Sequence, residues 1–360
     1  MRRKIYQELL QWKQRSGESA LLVQGARRVG KSYIVEAFAK AEYKSYILID
    51  FNLVDQPVKE MFEHDLVDLK TFFMKLTTYY GVKLYERESL IIFDEVQLFP
   101  RARSAIKYLV ADGRYDYIET GSLISIRENV KDILLPSEED HVDMYPLDFE
   151  EFLWANGNDT MMDFIRDCYR KKAPLGQALH RKAMDLFRQY LIVGGMPQAV
   201  NAFVKHNDFD EVDRVKRRIL NLYRDDIRKH AKGYEMKVEA IYDEIPSQMK
   251  NQNQHFKLSS LKQGARFDEY KDAMFWLSDA MIVNHCYNAT EPTFGLNLNR
   301  DRTLLKCYMG DTGLLISHAF DENGIVTGEV YKKLLLDKLE VNMGMVMENM
   351  VAQMLTASGH

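Results

Sequence analysis

The sequence predicts an α/β fold in which a mostly parallel sheet core is followed by a helical segment and a winged-helix-like module. Three observations predict it. Short apolar runs alternate with helical patterns over residues 1–153, as strands and covering helices do in a parallel sheet. A glycine-bearing loop of phosphate-binding type lies between the first run and the helix after it. Two acids close the third run.

The elements follow in order. Arg2, Arg3 and Lys4 open the chain, and Ile5, Leu9, Leu10 and Trp12 recur near helical spacing, which reads as an amphipathic first helix. Ala20-Leu-Leu-Val-Gln24 is the first strand, and a helix is expected from Lys31 to Lys40. Tyr46-Ile-Leu-Ile-Asp-Phe51 is the second strand. Leu66, Leu69, Phe72, Phe73 and Leu76 repeat as a helix. Leu90-Ile-Ile-Phe93 is the third strand, Ala102 to Ala111 a helix, Tyr115 to Thr120 the fourth strand and Val142-Asp-Met-Tyr145 the fifth. After Pro146 the texture becomes helical, with breaks at Gly157, Pro174-Leu-Gly176 and Gly194-Gly-Met-Pro197. Helices, then Met281-Ile-Val-Asn-His-Cys-Tyr287 and Leu304-Leu-Lys-Cys-Tyr308 around a polar turn, suggest a winged helix. The expected divisions are 1–153 for the core, 154–235 for the helical segment, 236–320 for the winged-helix-like module and 321–360 for a further stretch with a turn at Asn323-Gly324.

Composition excludes several classes. Of 360 residues, 46% are hydrophobic and 28% charged, the mix of a folded globular chain rather than a disordered one. Lys plus Arg number 49 and Asp plus Glu 53, so the net charge is 49 − 53 = −4. This balance does not announce a nucleic-acid binder, although it leaves room for a local basic face. Cys168, Cys286 and Cys307 form no C-x-x-C pair and no disulfide framework, and they read as thiols of a reducing compartment. No apolar stretch is long enough to span a bilayer, and no secretory signal opens the chain. A cytoplasmic protein without a membrane partner is expected. The histidines show no H-E-x-x-H spacing, so no zinc site is expected.

Gly25-Ala-Arg-Arg-Val-Gly-Lys-Ser32 fits G-x-x-x-x-G-K-[ST] at every fixed position. Polyphosphate needs several donors converging on it, and main-chain N–H groups supply them where no side chain blocks the approach. The helix beginning at Lys31 points its positive end at the phosphates. Lys31 is placed to reach the β- and γ-phosphates, and the Ser32 hydroxyl to reach Mg²⁺. Gly25, Ala26, Arg27, Arg28, Val29, Gly30, Lys31 and Ser32 are therefore the candidate nucleotide-binding residues. Arg27 and Arg28 stand between touching phosphate and forming surface ion pairs.

Phe93-Asp-Glu95 delivers two carboxylates at the end of a buried strand, where open α/β sheets bind ligands. Asp94 is the candidate Mg²⁺ residue and Glu95 the candidate general base. One extra strand, 46–51, separates the loop from these acids, and an acid directly follows the Mg²⁺ aspartate. Both features resemble the ATPase branch of the P-loop fold. No N-K-x-D or T-K-x-D is present, so ATP is favoured over GTP. Thr120 and Ser122, at the end of the fourth strand, are candidate sensors of the γ-phosphate or the attacking water.

The whole set resembles a prokaryotic AAA-type P-loop ATPase family, the archaeal-type ATPase-like proteins, whose members carry a C-terminal domain of unknown function related to restriction-type nucleases. The resemblance rests on the two motifs above and on Thr120-Gly-Ser-Leu123, Tyr145-Pro-Leu-Asp-Phe-Glu-Glu-Phe-Leu153, Gly194-Gly-Met-Pro-Gln198, Gly310-Asp-Thr-Gly-Leu-Leu315 and Glu348-Asn-Met-Val-Ala352. It implies an ATPase core, a helical segment, a winged-helix-like module and the start of the nuclease-like domain. Some members have a Gly-Arg before the Pro-Leu-x-Phe motif. Here the stretch is Pro136-Ser-Glu-Glu-Asp140, so no arginine finger carries over. Glu348 matches the first acid of the nuclease-like domain, whose later acids would lie beyond residue 360. That domain reads as truncated, and nuclease activity is not expected. Its first helix would then expose Met343, Met345, Met347, Met350 and Met354, as the core face of a missing domain or as a partner site.

Arg170-Lys-Lys172 with Arg181 and Lys182, and Arg214 to Lys229 interrupted by Asp213, Asp225 and Asp226, form two basic stretches. Each reads either as a contact for DNA backbone beside a winged helix or as a solvated helix face. Three functional readings result: an ATP hydrolase whose cycle moves the C-terminal modules, a nucleotide-gated switch or interaction module with little hydrolysis that acts on a partner or by self-association, and a DNA-binding regulator.

Overall fold

A computed structural model describes residues 1–15, 17–121, 138–251, 255–291, 296–320 and 343–360. The chain forms two compact units, Arg3–Met144 and Met1–Arg2 together with Tyr145–His360.

The unit Arg3–Met144 runs α1 (Ile5–Gln14), β1 (Ala20–Gln24), α2 (Lys31–Glu42), β2 (Ser45–Asp50), α3 (Gln56–His64), α4 (Leu69–Tyr80), β3 (Ser89–Asp94), α5 (Pro100–Asp112), β4 (Asp116–Gly121) and β5 (Glu139–Asp143). Its five strands are parallel, in the order β2-β3-β4-β1-β5. β4 is thus inserted between β1 and β3. The strand between the loop and the acids pairs outside β3, with Asp50 opposite Asp94.

β3 is buried throughout, and its apolar run is what a strand covered on both faces requires. On one face Ile47, Ile49, Ile91, Phe93 and Tyr117 meet Val58 and Phe62 of α3, Phe72, Phe73 and Leu76 of α4, and Ile106 and Leu109 of α5. Edge-to-face rings fill this layer, with Phe62 5.1 Å from Phe72 and 5.5 Å from Phe93. α2 packs on β2, β3 and β4, and α1 packs on α2. Asp68 caps α4 by accepting from the main-chain N–H groups of Lys70 and Thr71. α3 is an element that the sequence reading lacks. Pro57 lies in its first turn, and only Val58, Met61 and Phe62 are buried, too few to mark a period.

The second unit is helical, with a small hairpin. It contains α6 (Phe149–Ala155), α7 (Met161–Lys171), α8 (Gln177–Val193), α9 (Pro197–His206), α10 (Phe209–His230), α11 (Glu235–Lys250), α12 (Phe267–Asp279), β6 (Val283–Ala289), β7 (Arg300–Met309), α13 (Thr312–Ala319) and α14 (Met343–Ala357). β6 and β7 pair antiparallel from Val283 opposite Met309 to Ala289 opposite Arg300. With α11 and α12 packed beside it, this hairpin gives the winged-helix-like module. Asp148 and Glu151 close a capping box at the start of α6.

Three of the sequence motifs meet in this unit. The Asp311 carboxylate accepts from Gly195 N at 2.5 Å and from Leu314 N at 2.9 Å. Leu147 N donates to Gly195 O at 2.7 Å, and Tyr190 Oη donates to Leu147 O at 2.9 Å. Gly194, at φ +78°, has no room for a side chain: a Cβ there would lie 2.3 Å from Asp311 Oδ1 and 2.8 Å from Gly313 Cα. The glycines are therefore fixed by the close approach of two backbones.

α14 is not the stranded helix that the methionine pattern suggests. Met345, Val346 and Met350 are buried because α14 packs on α13, β7 and α8 of its own unit. Asn349 Nδ2 donates to Met309 O at 3.1 Å, Thr312 N donates to Gln353 Oε1 at 2.9 Å, and Gln353 Nε2 donates to Tyr190 Oη at 3.2 Å. Met347 remains exposed, and Met343 and Met354 are half-buried. The turn expected at Asn323-Gly324 lies outside the described residues.

Candidate nucleotide site

β1 ends at Gln24, the loop follows, and α2 begins at Lys31. The loop is compressed against the strand end. A Cβ on Gly25 would lie 2.3 Å from Met144 O, so a side chain there would displace the backbone. Gly30 is left-handed, at φ +99°, as N-cap of α2, and α2 has no acid in its first turn. The positive end of α2 therefore faces the loop uncompensated.

The loop residues divide by exposure. Ala26 and Val29 are buried, and Arg27 and Arg28 are exposed. Lys31 is only 7% exposed, although it is a lysine. Its Nζ donates to Gly25 O at 2.9 Å and to Ala26 O at 3.0 Å, which folds the side chain back over the loop. One brace was not legible in the motif: Arg3 Nη1 donates to Val29 O at 3.0 Å. Arg3 reads in the sequence merely as part of a basic N-terminus.

Asp94 collects two hydroxyls. Ser32 Oγ donates to Asp94 Oδ1 at 2.7 Å, and Thr120 Oγ1 donates to the same oxygen. Glu95 N in turn donates to Thr120 Oγ1 at 3.3 Å. The first turn of α2, the end of β3 and the end of β4 thus converge, as the sheet order β3-β4-β1 requires. Thr120, a candidate sensor in the sequence, is the next-to-last residue of β4. Ser122 lies outside the described residues.

Glu95 is left-handed, at φ +53°, a conformation that costs a side-chain-bearing residue. Gln97 follows in a single 3-10 turn, Val96–Leu98, and its Nε2 donates to Glu95 Oε2 at 2.5 Å. Gln97 is buried. The sequence reading gave this glutamine no role. The signal available was its position two residues beyond the acid.

A magnesium ion was expected here, and the donors fit one. A serine hydroxyl and a carboxylate oxygen lie 2.7 Å apart, beside a loop of main-chain amides. Hard oxygen donors of this kind, few in number, suit a cation that keeps much of its water and shares phosphate oxygens.

One residue before Thr120, on the opposite side of β4, lies a buried ionic cluster that composition did not reveal. Arg103 Nη1 is 3.3 Å from Glu119 Oε2, and Arg103 Nη2 is 2.8 Å from Glu139 Oε1. All three side chains are at most 1% exposed. Burial, followed by repulsion from Glu139, pushes the Glu119 carboxyl well above the usual range, and Arg103 acts against this.

Residues 17–153 match the family described as AAA domain, and residues 184–323 match a domain of unknown function, DUF8612. No curated protein sequence matches the chain significantly. Among solved structures, the Walker-type ATPase paby2304 of Pyrococcus abyssi is similar over 88% of this chain and 95% of its own, at 13% identity and a TM-score of 0.50, a likeness of fold. AMPPCP-bound DnaA from Aquifex aeolicus (11% identity, 94% and 95% covered, TM-score 0.34) and the Aeropyrum pernix Orc1 protein in complex with DNA (10% identity, 91% and 94% covered, TM-score 0.32) are more distantly similar. The sequence reading opens a nuclease-related domain of unknown function at residue 321. The domain of unknown function that matches covers 184–323, and nothing among these comparisons links it to a nuclease. Among the described residues no helix is long and apolar enough to cross a membrane. The core is an AAA-type P-loop sheet, and it is over residues 17–153 that the chain matches the AAA domain family.

Proposed function

We propose that this chain binds Mg-ATP on residues 25–32 and hydrolyses it, with Glu95 as general base. The convergence of Ser32 and Thr120 on Asp94 Oδ1, beside a buried Lys31, carries this reading. The residues that would hold Mg²⁺ are Ser32 and Asp94. The ion, when bound, neutralises charge on the phosphate oxygens.

The residues of the chain divide the rest of the work. Main-chain N–H groups of the loop and the start of α2 take the phosphate oxygens. Lys31 exchanges its two carbonyl partners for phosphate. Glu95 takes the proton of the attacking water as its oxygen bonds to the γ-phosphorus and the bond to the β–γ bridging oxygen breaks. Thr120 links the Asp94 carboxylate to the Glu95 main chain, so a change at the phosphate is transmitted to the base. The turnover then drives rearrangement of the C-terminal modules.

A second reading, a nucleotide-gated switch with little hydrolysis, is favoured by the Gln97–Glu95 bond, which occupies one oxygen of the base. Steady-state phosphate release from the wild type, Lys31→Ala and Glu95→Gln separates the two. Glu95→Gln should retain binding and turn over roughly 10²-fold or more slowly. Tight binding by a wild type without measurable turnover supports the switch. Equal turnover in all three proteins removes catalysis from this site.

A further inference from the structure

The two basic stretches differ in what holds their charges. On α10 the cations are mostly satisfied: Arg214 lies 2.6 Å from Glu211, Arg217 2.6 Å from Asp213, Arg224 3.1 Å from Asp243 and Arg228 2.9 Å from Glu239. Lys216 is buried and donates to Ile192 O. That stretch behaves as a paired helix face.

The turn between α7 and α8 is different. Residues 169–182 contain Arg170, Lys171, Lys172, Arg181 and Lys182 and no acid, in a chain whose net charge is −4. Lys171 pairs with Asp167 at 2.7 Å. Arg170, Lys172, Arg181 and Lys182 are exposed, and their side chains have no ion pair or hydrogen bond among the described residues. The segment stands out from its unit: the first turns of α8 are exposed up to Ala183. Tyr169, beside Arg170, is 85% exposed.

The winged-helix-like module carries cations too, among them Lys250, Lys257, Lys262 and Arg266, but they lead into a helix whose start is acidic. α12 begins with Asp268 and Glu269 in its first turn, and exposed Asp272 follows, so three acids stand against Arg266 at the N-cap and Lys271. A helix with that face repels a phosphate backbone.

We propose that the turn 169–182 docks on the phosphate backbone of a nucleic-acid duplex. A duplex carries one charge per roughly 1.7 Å of axis, the densest regular array of anions available to a protein. Two helix ends joined by a short turn present their cations as a fixed set, which suits fixed phosphates. Arginine pairs bidentately with phosphate, and a tyrosine hydroxyl is a further donor to it. The contact is read through charge and spacing rather than base sequence.

The proposal does not depend on ATP turnover, so its test uses the full chain without nucleotide. Binding of a fluorescent 30-base-pair duplex of arbitrary sequence is followed by anisotropy from 50 to 200 mM salt. The wild type should bind at 50 mM and weaken roughly 10²-fold across that range, as about four neutralised phosphates predict. The variant R170Q/K172Q/R181Q/K182Q should lose at least tenfold in affinity at 50 mM, with a much flatter salt dependence. The four sites are exposed, and an unchanged melting temperature verifies the fold. K257Q/K262Q, in the segment leading to α12, should bind as the wild type. No binding at 50 mM salt overturns the proposal, as does a loss below tenfold in the fourfold variant or a loss confined to K257Q/K262Q. Poly-glutamate that competes as well as unlabelled duplex at equal charge also overturns it, in favour of an acidic protein partner.

Discussion

Ser32 Oγ donates to Asp94 Oδ1 at 2.7 Å across the end of the sheet. The two residues lie far apart in sequence: Ser32 closes the loop motif, and Asp94 is the first of the two acids that end β3. The bond joins the helix that faces the phosphates to the strand that delivers the acids. Thr120 adds its hydroxyl to the same carboxylate oxygen, so the strand between them is tied in as well. What the account treats as one site is therefore held together before any ligand arrives.

Gln97 is expected to position Glu95. Gln97→Ala should lower kcat roughly tenfold and leave KM for ATP within twofold, because the lost bond orients the base rather than the nucleotide. Steady-state kinetics of phosphate release check this. A rise in KM at constant kcat would assign Gln97 to nucleotide binding instead.

Arg103 is expected to be structural. It is the buried cation between Glu119 and Glu139, with the half-exposed His141 Nε2 3.1 Å from Glu139 on the outer side, and removing it takes away the charge that compensates the pair in the interior. Arg103→Met should cost about 3–5 kcal/mol in urea unfolding. Adding Glu119→Gln should recover part of that loss. A cost below about 1 kcal/mol would show the cluster to be hydrated.

Gly194→Ala tests the junction of motifs in the second unit. The added methyl would meet Asp311 and Gly313 at the distances given above, at a backbone angle disfavoured for alanine. A cost of about 3 kcal/mol is expected in denaturant unfolding. An unchanged midpoint would mean that the two backbones separate freely.

Lys216 gives a pH dependence with a definite sign. Burial lowers its pKa from the usual 10.5 to about 8, while Asp213 and Asp311 act in the opposite direction. The unfolded chain therefore binds more protons at this residue between pH 8 and 10.5. Stability from this group rises with pH across that window, is complete above the unfolded value and is lost as pH falls through the folded one. Relative to Lys216→Met, the wild type should gain about 3 kcal/mol over that range. A constant difference between the two proteins would contradict the assignment.

How much of this the sequence disclosed depended on the range of the interaction. The loop and Asp94-Glu95 were legible because phosphate chemistry fixes residue types at fixed short spacings. The run Leu90 to Phe93 was legible because a strand buried on both faces must be apolar. Thr120 could be placed from the end of its strand, yet its bond to Asp94 depends on β4 lying between β1 and β3. Arg103, Glu119 and Glu139 were invisible as a group, since each sits in a different element and only tertiary packing unites them. The pairing of Gly194-Gly195 with Asp311 was hidden for the same reason. The methionines of α14 misled because their partners, on α8, β7 and α13, precede them by tens of residues or more.

The claim on which the account rests is that residues 25–32 cradle a triphosphate. Calorimetric titration of Mg-ATP into the full chain tests it most directly. The account predicts saturable one-to-one binding, weakened roughly 10- to 100-fold in Lys31→Ala by loss of a charge-assisted bond. Absence of binding by the wild type, or equal affinity in the variant, would contradict it.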